Sequence, residues 1–212
     1  MDKFMQWRNE KLIERTIENL KRNNMEAVLV QDEVELIGKL NRLIKEGAVV
    51  SVGGSETLLE TGVIDYLRNG NFTFLDRYDS NLTIQGRKEL NKKAFCADTY
   101  LCSSNAITEN GELFNVDGNG NRVAAMLFGP DQVIVVCGVN KIVKDLKEAE
   151  QRVKKIAAPV NAKKLNKNTP CAKVGYCMDC NSDDRICCDY VIMKKQRNDR
   201  IKVIILNKDL GF

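Results

Sequence analysis

The sequence predicts an α/β fold built around a mostly parallel β-sheet. Short apolar runs alternate with stretches of helical spacing from one end to the other. One of those runs, Ala48–Val52, is apolar at nearly every position, as befits a strand covered on both faces. No internal repeat, low-complexity tract or linker divides the 212 residues, so they read as one domain, 1–212, with a Cys-rich segment at 169–189.

The elements follow in order. Ile13, Ile17 and Leu20 form one stripe of a helix over Met1–Asn24, whose natural place is against the sheet. Ala27–Val30 is a short strand. Val34, Ile37, Leu40 and Ile44 repeat at helical intervals until Gly47 stops them. The Ala48–Val52 strand breaks into Gly53-Gly54-Ser55-Glu56-Thr57, and a helical pattern resumes at Leu58. Phe72–Leu75 is a strand, Arg87–Ala97 a helix, and Tyr100–Ser104 another apolar run. Asn110-Gly111 marks a tight turn inside Ile107–Leu113. After a Gly- and Asn-rich loop from Val116 to Asn121, Arg122–Phe128 reads as a β-like run. Gly129-Pro130-Asp131 turns the chain into Val133–Gly138, the most strand-like segment of all. Val143, Leu146, Ala149, Val153 and Ile156 line a helix expected to end before Pro159. Tyr190–Met193 and Ile201–Leu206 are the last strands.

Composition excludes several functions. There are 33 basic and 29 acidic side chains, and a net charge of +4 is too small to make nucleic acid the default partner. The basic stretch from Lys154 to Lys167 lacks interleaved aromatics and reads as a solvated face. No apolar run approaches the roughly 20 residues that span a bilayer, and charges from Asp2 onward argue against a secretory signal. A cytoplasmic protein without a membrane span is the expectation. The absence of His removes His-based acid–base catalysis, His-activated nucleophiles and His-containing zinc sites.

Two glycine-bearing turns are the candidate ligand site. Gly53, Gly54, Ser55 and Thr57 lie between a strand and a helix, where backbone and hydroxyl groups can approach an anion. The alternative is a plain βα turn with Ser55 as N-cap. Glu56 is the carboxylate available for chemistry. Asn119 and Arg122 lie on or just after the second loop, and the Arg can either hold a carboxylate or phosphate or simply pair with Asp117. There is no Gly-x-Gly-x-x-Gly, hence no fingerprint for NAD.

Five of the eight Cys fall in Cys171-x5-Cys177-x2-Cys180-x6-Cys187-Cys188. In a reducing compartment such clustering favours thiolate ligands over disulfides. Cys171, Cys177, Cys180 and Cys187, or Cys188 in place of Cys187, can supply four sulfurs to an iron–sulfur cluster or alternatively to zinc. A redox-active dithiol or merely free thiols are the other readings.

Three pieces together resemble the lactate-utilisation (LUD) domain family, formerly a domain of unknown function. They are Gly53–Leu58; Ser103–Gly111 running through Gly118–Ala124; and Gly129-Pro130 before the Val133 strand, with Leu206–Phe212 also fitting. The resemblance implies a Rossmann-like sheet with helices on both faces, akin to sugar-phosphate isomerases and coenzyme A transferases. It also implies a ligand crevice at the strand C-termini and a role in oxidising L-lactate or a related 2-hydroxy acid. Iron–sulfur partner subunits and electron transfer belong to the same implication. Coenzyme A transferases carry a nucleophilic Glu in the loop comparable to Ser55-Glu56, but the Asn-Gly that follows it there is missing here. Where ribose phosphate isomerases carry catalytic carboxylates, this chain has Asn105 and Thr108, neither a general base at neutral pH; Asn105 is instead a candidate ligand-binding residue. The resemblance thus leaves two roles: a component acting on a small carboxylate or phosphate ligand, or a non-catalytic accessory subunit that binds a ligand or metal.

Overall fold

The computed structural model describes residues 3–212. Six strands form one fully parallel sheet in the order β1 (Glu26–Val30), β10 (Ile201–Leu206), β7 (Gln132–Gly138), β4 (Thr99–Cys102), β2 (Val49–Val52) and β3 (Thr73–Leu75). A smaller second sheet orders β8 (Ile142–Val143), β5 (Ala106–Thr108), β6 (Leu113–Asp117) and β9 (Asp189–Met193). Its β5–β6 and β6–β9 pairs are antiparallel, the first closed by the Asn110-Gly111 turn.

Alternation along the central strands builds two cores. On β7, Val133, Val135 and Cys137 face one side, while Ile134 and Val136 face the other. Ile201, Val203 and Ile205 of β10 share the first side; Ile204 and Leu206 share the second. This period of two makes both faces apolar, which a sheet buried by helices requires. The first face is covered by α1 (Lys3–Arg22) through Leu20, by α6 (Asn121–Leu127) through Ala125 and Met126, and by Ile107, Leu113 and Met193 of the small sheet. The second is covered by α2 (Glu33–Leu43), α3 (Glu56–Glu60) and α4 (Val63–Asn69), through Leu36, Leu40, Leu58, Val63, Ile64 and Leu67. A third cluster packs Ala106, Phe114 and Val116 against Ala149 and Val153 of the following helical stretch.

Several segments differ from the sequence expectation: Val143, expected on the late helix, lies in β8, and Val116 and Asp117, expected in the loop, end β6, each because pairing within the small sheet claims its backbone. Arg122–Phe128 is not a strand: α6 occupies Asn121–Leu127. Val123 is its one β-branched residue, and Ala, Met and Leu are good helix formers. Gly120 enters with φ +70°, and the Asp117 carboxylate accepts the N–H groups of Arg122 and Val123, fixing the helix start. Nor does the late helix stop before Pro159. It runs from α7 (Leu146–Arg152) through a π-helical stretch at Val153–Ala157 into α8 (Ala158–Lys164). Proline lacks an N–H and crowds the preceding turn; the wider π turn, with Ala158 N–H bonded to the Val153 carbonyl, accommodates it.

After α8 come a short helix, α9 (Pro170–Val174), and an irregular Cys-bearing stretch before β9; one further helix, α5 (Ile84–Lys93), stands between β3 and β4 in the chain. Among the described residues, no helix is long and apolar enough to cross a membrane.

Gly111 has φ +76°, and a Cβ there would lie 2.5 Å from the backbone of Asn19 in α1. Gly47 has a similar φ of +75° but open space around it. Gly47→Ala should therefore cost about 1 kcal/mol through conformation alone, and Gly111→Ala clearly more, because α1 must also move. Denaturant midpoints of the two variants measured side by side check the ordering.

Candidate functional site

The parallel strands end on a common side, and the chain leaves them through segments that form a pocket of about 480 Å³. Gly54, Ser55 and Glu56 follow β2, Arg77 and Tyr78 follow β3, and Ser103, Ser104 and Asn105 follow β4. Lys141 arrives just after β7, Asp117 to Arg122 come from the end of β6, and Asn161 and Lys164 come from α8. Both glycine-bearing turns identified in the sequence thus open onto one cavity.

Each expected ligand residue has a defined place. Gly54, Ser55, Glu56, Asn105, Asn119 and Arg122 line the pocket. Gly53 and Thr57 lie beneath the lining, both buried. Gly53 is needed for close approach: a Cβ there would come within 3.0 Å of the Tyr100 hydroxyl and 3.2 Å of the Arg122 side chain. Ser55 acts as the N-cap of α3, accepting from Leu58 N–H at 3.3 Å, while its own N–H donates to the Tyr78 hydroxyl at 2.9 Å. Asn119 is exposed at the rim. Glu56 forms an ion pair with Lys164.

Arg122 is largely committed to the protein. Nη1 donates to the Ser103 carbonyl at 3.0 Å and to Asn115 Oδ1 at 2.6 Å. Nη2 donates to Asn105 Oδ1 at 3.0 Å and to the Val116 carbonyl at 2.8 Å. Asp117 stands 3.8 Å from its Nε. Its side-chain hydrogen bonds thus go to four oxygens of the protein, with the Asp117 carboxylate nearby as a countercharge. Asn105 likewise works inward: its Oδ1 also accepts from Val116 N–H at 2.8 Å.

The groups left free to meet a ligand are different ones. Arg77 is half-buried, stacks beside the Tyr78 ring and lies against Gly54, with no acceptor for its guanidinium among the described residues. Arg87, from the first turn of α5, also reaches the pocket and has no ion pair among the described residues. Lys141 is 3% exposed, and Nζ donates to Thr57 Oγ1 at 2.9 Å and Ser103 Oγ at 3.0 Å. Burial lowers its pKa from the usual lysine value, and the nearby Arg152 and Arg122 act in the same direction. Five cationic side chains line the pocket (Arg77, Arg87, Arg122, Lys141, Lys164) against two carboxylates, Glu56 and Asp117. Arg77, Arg87, Lys141 and Lys164 did not emerge from the sequence. Lys141 had one signal available, its place three residues beyond the strongest strand, where α/β crevices open.

The cysteines are separate from the pocket lining. Cys171 is buried on α9, its Sγ 3.3 Å from Thr169 Oγ1. Cys177, Cys180 and Cys187 are half-buried, and the thiols of Cys177 and Cys180 add to the burial that pushes the Cys187 pKa up. Among the described residues, no three Cys, Asp or Glu side chains converge as a metal site. The segment nevertheless touches the site: Ile186 lines the pocket and packs against Gly118.

Fold and cavity together define an α/β domain with a cationic crevice at its strand C-termini. The chain belongs to the LUD domain family, whose pattern matches residues 13–206. Among solved structures it is similar to a DUF162 family protein from Deinococcus radiodurans, at 14% identity and a TM-score of 0.55, covering 93% of this chain and 98% of that one. It is also similar to eIF2B beta from Chaetomium thermophilum, at 17% identity and a TM-score of 0.38, covering 55% of this chain and 44% of that one. The first likeness shows the fold; the second is too distant to carry an argument. No curated protein matches the chain.

Replacing Arg122 by Met should destabilise the domain by about 3–5 kcal/mol, because it strands Asp117 and four acceptors in a largely buried place. A denaturant titration measures this. A loss under ~1 kcal/mol would show that water replaces the guanidinium.

Proposed function

We propose that this LUD domain binds a small carboxylate within a system that oxidises lactate or a related 2-hydroxy acid. The observation that supports the reading best is the pair of arginines, Arg77 and Arg87, at a pocket whose cations outnumber its carboxylates. A guanidinium with no protein acceptor beside a cavity is suited to a planar carboxylate, which it can hold through two parallel hydrogen bonds. Gly54 keeps the surface next to Arg77 open, since a Cβ there would lie 3.3 Å from the guanidinium carbon. Glu56 is proposed as a gatekeeping charge that competes with the ligand for Lys164, with chemistry at its carboxylate as the stronger version of the same idea. Ser55, Asn105 and Arg122 are proposed to shape the cavity, and Asn119 to contact the ligand at its rim.

Calorimetric titration with lactate and pyruvate tests the reading. Binding should weaken at least tenfold in the Arg77→Ala/Arg87→Ala double variant, the loss expected for charge-assisted hydrogen bonds of roughly 1.5–3 kcal/mol each. Glu56→Gln should tighten binding by up to about fivefold, since it removes a competing anion from a partly exposed ion pair. Unchanged affinity in the double variant would refute the arginine site. If a reconstituted oxidation system loses its turnover in Glu56→Gln while binding improves, the carboxylate takes part in the chemistry.

A second reading, an accessory subunit holding an iron–sulfur cluster or zinc, draws support from the clustering of Cys177, Cys180 and Cys187 in one segment, where the first two act electrostatically on the third. As placed, no three of these side chains converge as a metal site, so the stretch must rearrange to gather Cys177, Cys180 and Cys187 with Cys171 or Cys188. Anaerobic purification followed by elemental analysis decides it: stoichiometric iron with visible charge-transfer absorption, or stoichiometric zinc, is the expected result. Protein that carries neither, and whose thermal stability is indifferent to both metals, would remove the reading.

A further inference from the structure

We propose that Lys141 is a nucleophilic amine that forms an imine with the carbonyl carbon of a 2-oxo acid bound in the pocket. This deepens the proposed function, on which it rests, by assigning the ligand a ketone beside its carboxylate.

The argument begins with the company Lys141 keeps. A lysine that serves only as a charge normally sits in water or against a carboxylate, as Lys164 does against Glu56. Lys141 does neither. It is almost wholly buried at the pocket floor, and its Nζ is held between two hydroxyls, Thr57 Oγ1 and Ser103 Oγ. Ser103 Oγ is in turn 3.4 Å from the buried Cys137 Sγ. None of these partners carries a formal charge in its ordinary state. Burial, with the nearby cations Arg152 and Arg122, favours its neutral form and outweighs Cys137 and Glu60, which act the other way. Desolvation next to other cations is the arrangement that activates lysine for attack on a carbonyl.

The surroundings also fix what the amine would meet. Arg77 and Arg87 line the same cavity and can take a carboxylate, leaving the adjacent carbonyl free to turn toward the floor. The neutral Nζ adds to the carbonyl carbon, and the carbonyl oxygen gains a proton to become the hydroxyl of a carbinolamine. The nitrogen gives up its protons as that hydroxyl departs as water, and a C=N bond replaces C=O. Thr57 and Ser103, each within about 3 Å of the nitrogen, are placed to pass those protons. No oxidant or reductant is consumed.

Borohydride trapping tests this on the full chain. Incubation with pyruvate and borohydride should add one reduced pyruvyl group per chain, located at Lys141 by peptide mapping. Lactate, which has no carbonyl, should give no adduct but should protect against labelling by pyruvate. Lys141→Arg should lose the label. Because the site is mapped on the unsubstituted protein, the result does not depend on how that variant folds. No adduct, or label scattered over surface lysines, overturns the inference. Should calorimetry show lactate and pyruvate binding while pyruvate leaves no adduct, the imine fails and the carboxylate site stands. Should neither acid bind, both fail together.

Discussion

One buried guanidinium holds the working end of the molecule in shape. Arg122 joins the carbonyl that follows β4, the side chain that leads into β5, two positions on β6 and the acid that starts α6. The main sheet, the small sheet and a helix therefore meet at a single side chain. Such a hub suits arginine and not lysine, because five donors in a rigid plane can satisfy several acceptors at fixed angles. Its cost is a charge taken out of water, which Asp117 offsets while also capping the helix that carries Arg122.

The pocket is a consequence of this packing. Parallel strands deliver all their exits to one end, and the connecting segments there, with the end of β6 from the small sheet, enclose a cavity. Within it, side chains divide by partnership. Arg122, Asn105 and Ser55 spend their hydrogen bonds on the protein; Arg77 and Arg87 keep theirs available; Lys141 is buried among neutral groups. The same end of the domain thus contains polar groups bonded within the protein and others without a protein acceptor, told apart by what each one touches.

Particular residues show how much of this could be read in advance. Ile201–Leu206 is a strand to the residue, and Asn110-Gly111 is a hairpin turn, because burial period and turn chemistry are local properties. Arg122–Phe128 misleads because a short apolar run has no period of its own; a cap from Asp117, five residues before Arg122, decides for helix. Pro159 misleads because the rule against proline in a helix assumes a regular ladder, and a π turn relaxes it. Gly53 and Gly54 were legible as points of close approach, although what approaches them includes Arg122 and Arg77 of this same chain.

The amino-acid sequence by itself determined the class of fold, the two glycine-bearing turns and membership of the LUD domain family, since alternation, turn signals and motif spacing all act over a few neighbouring residues. Tertiary structure alone decided which cations would be bound internally and which left without a protein acceptor. Arg77, Arg87 and Arg122 are identical in formula and carry the same charge. Only folding, by setting acceptors around one of them and a cavity beside the others, separates their roles.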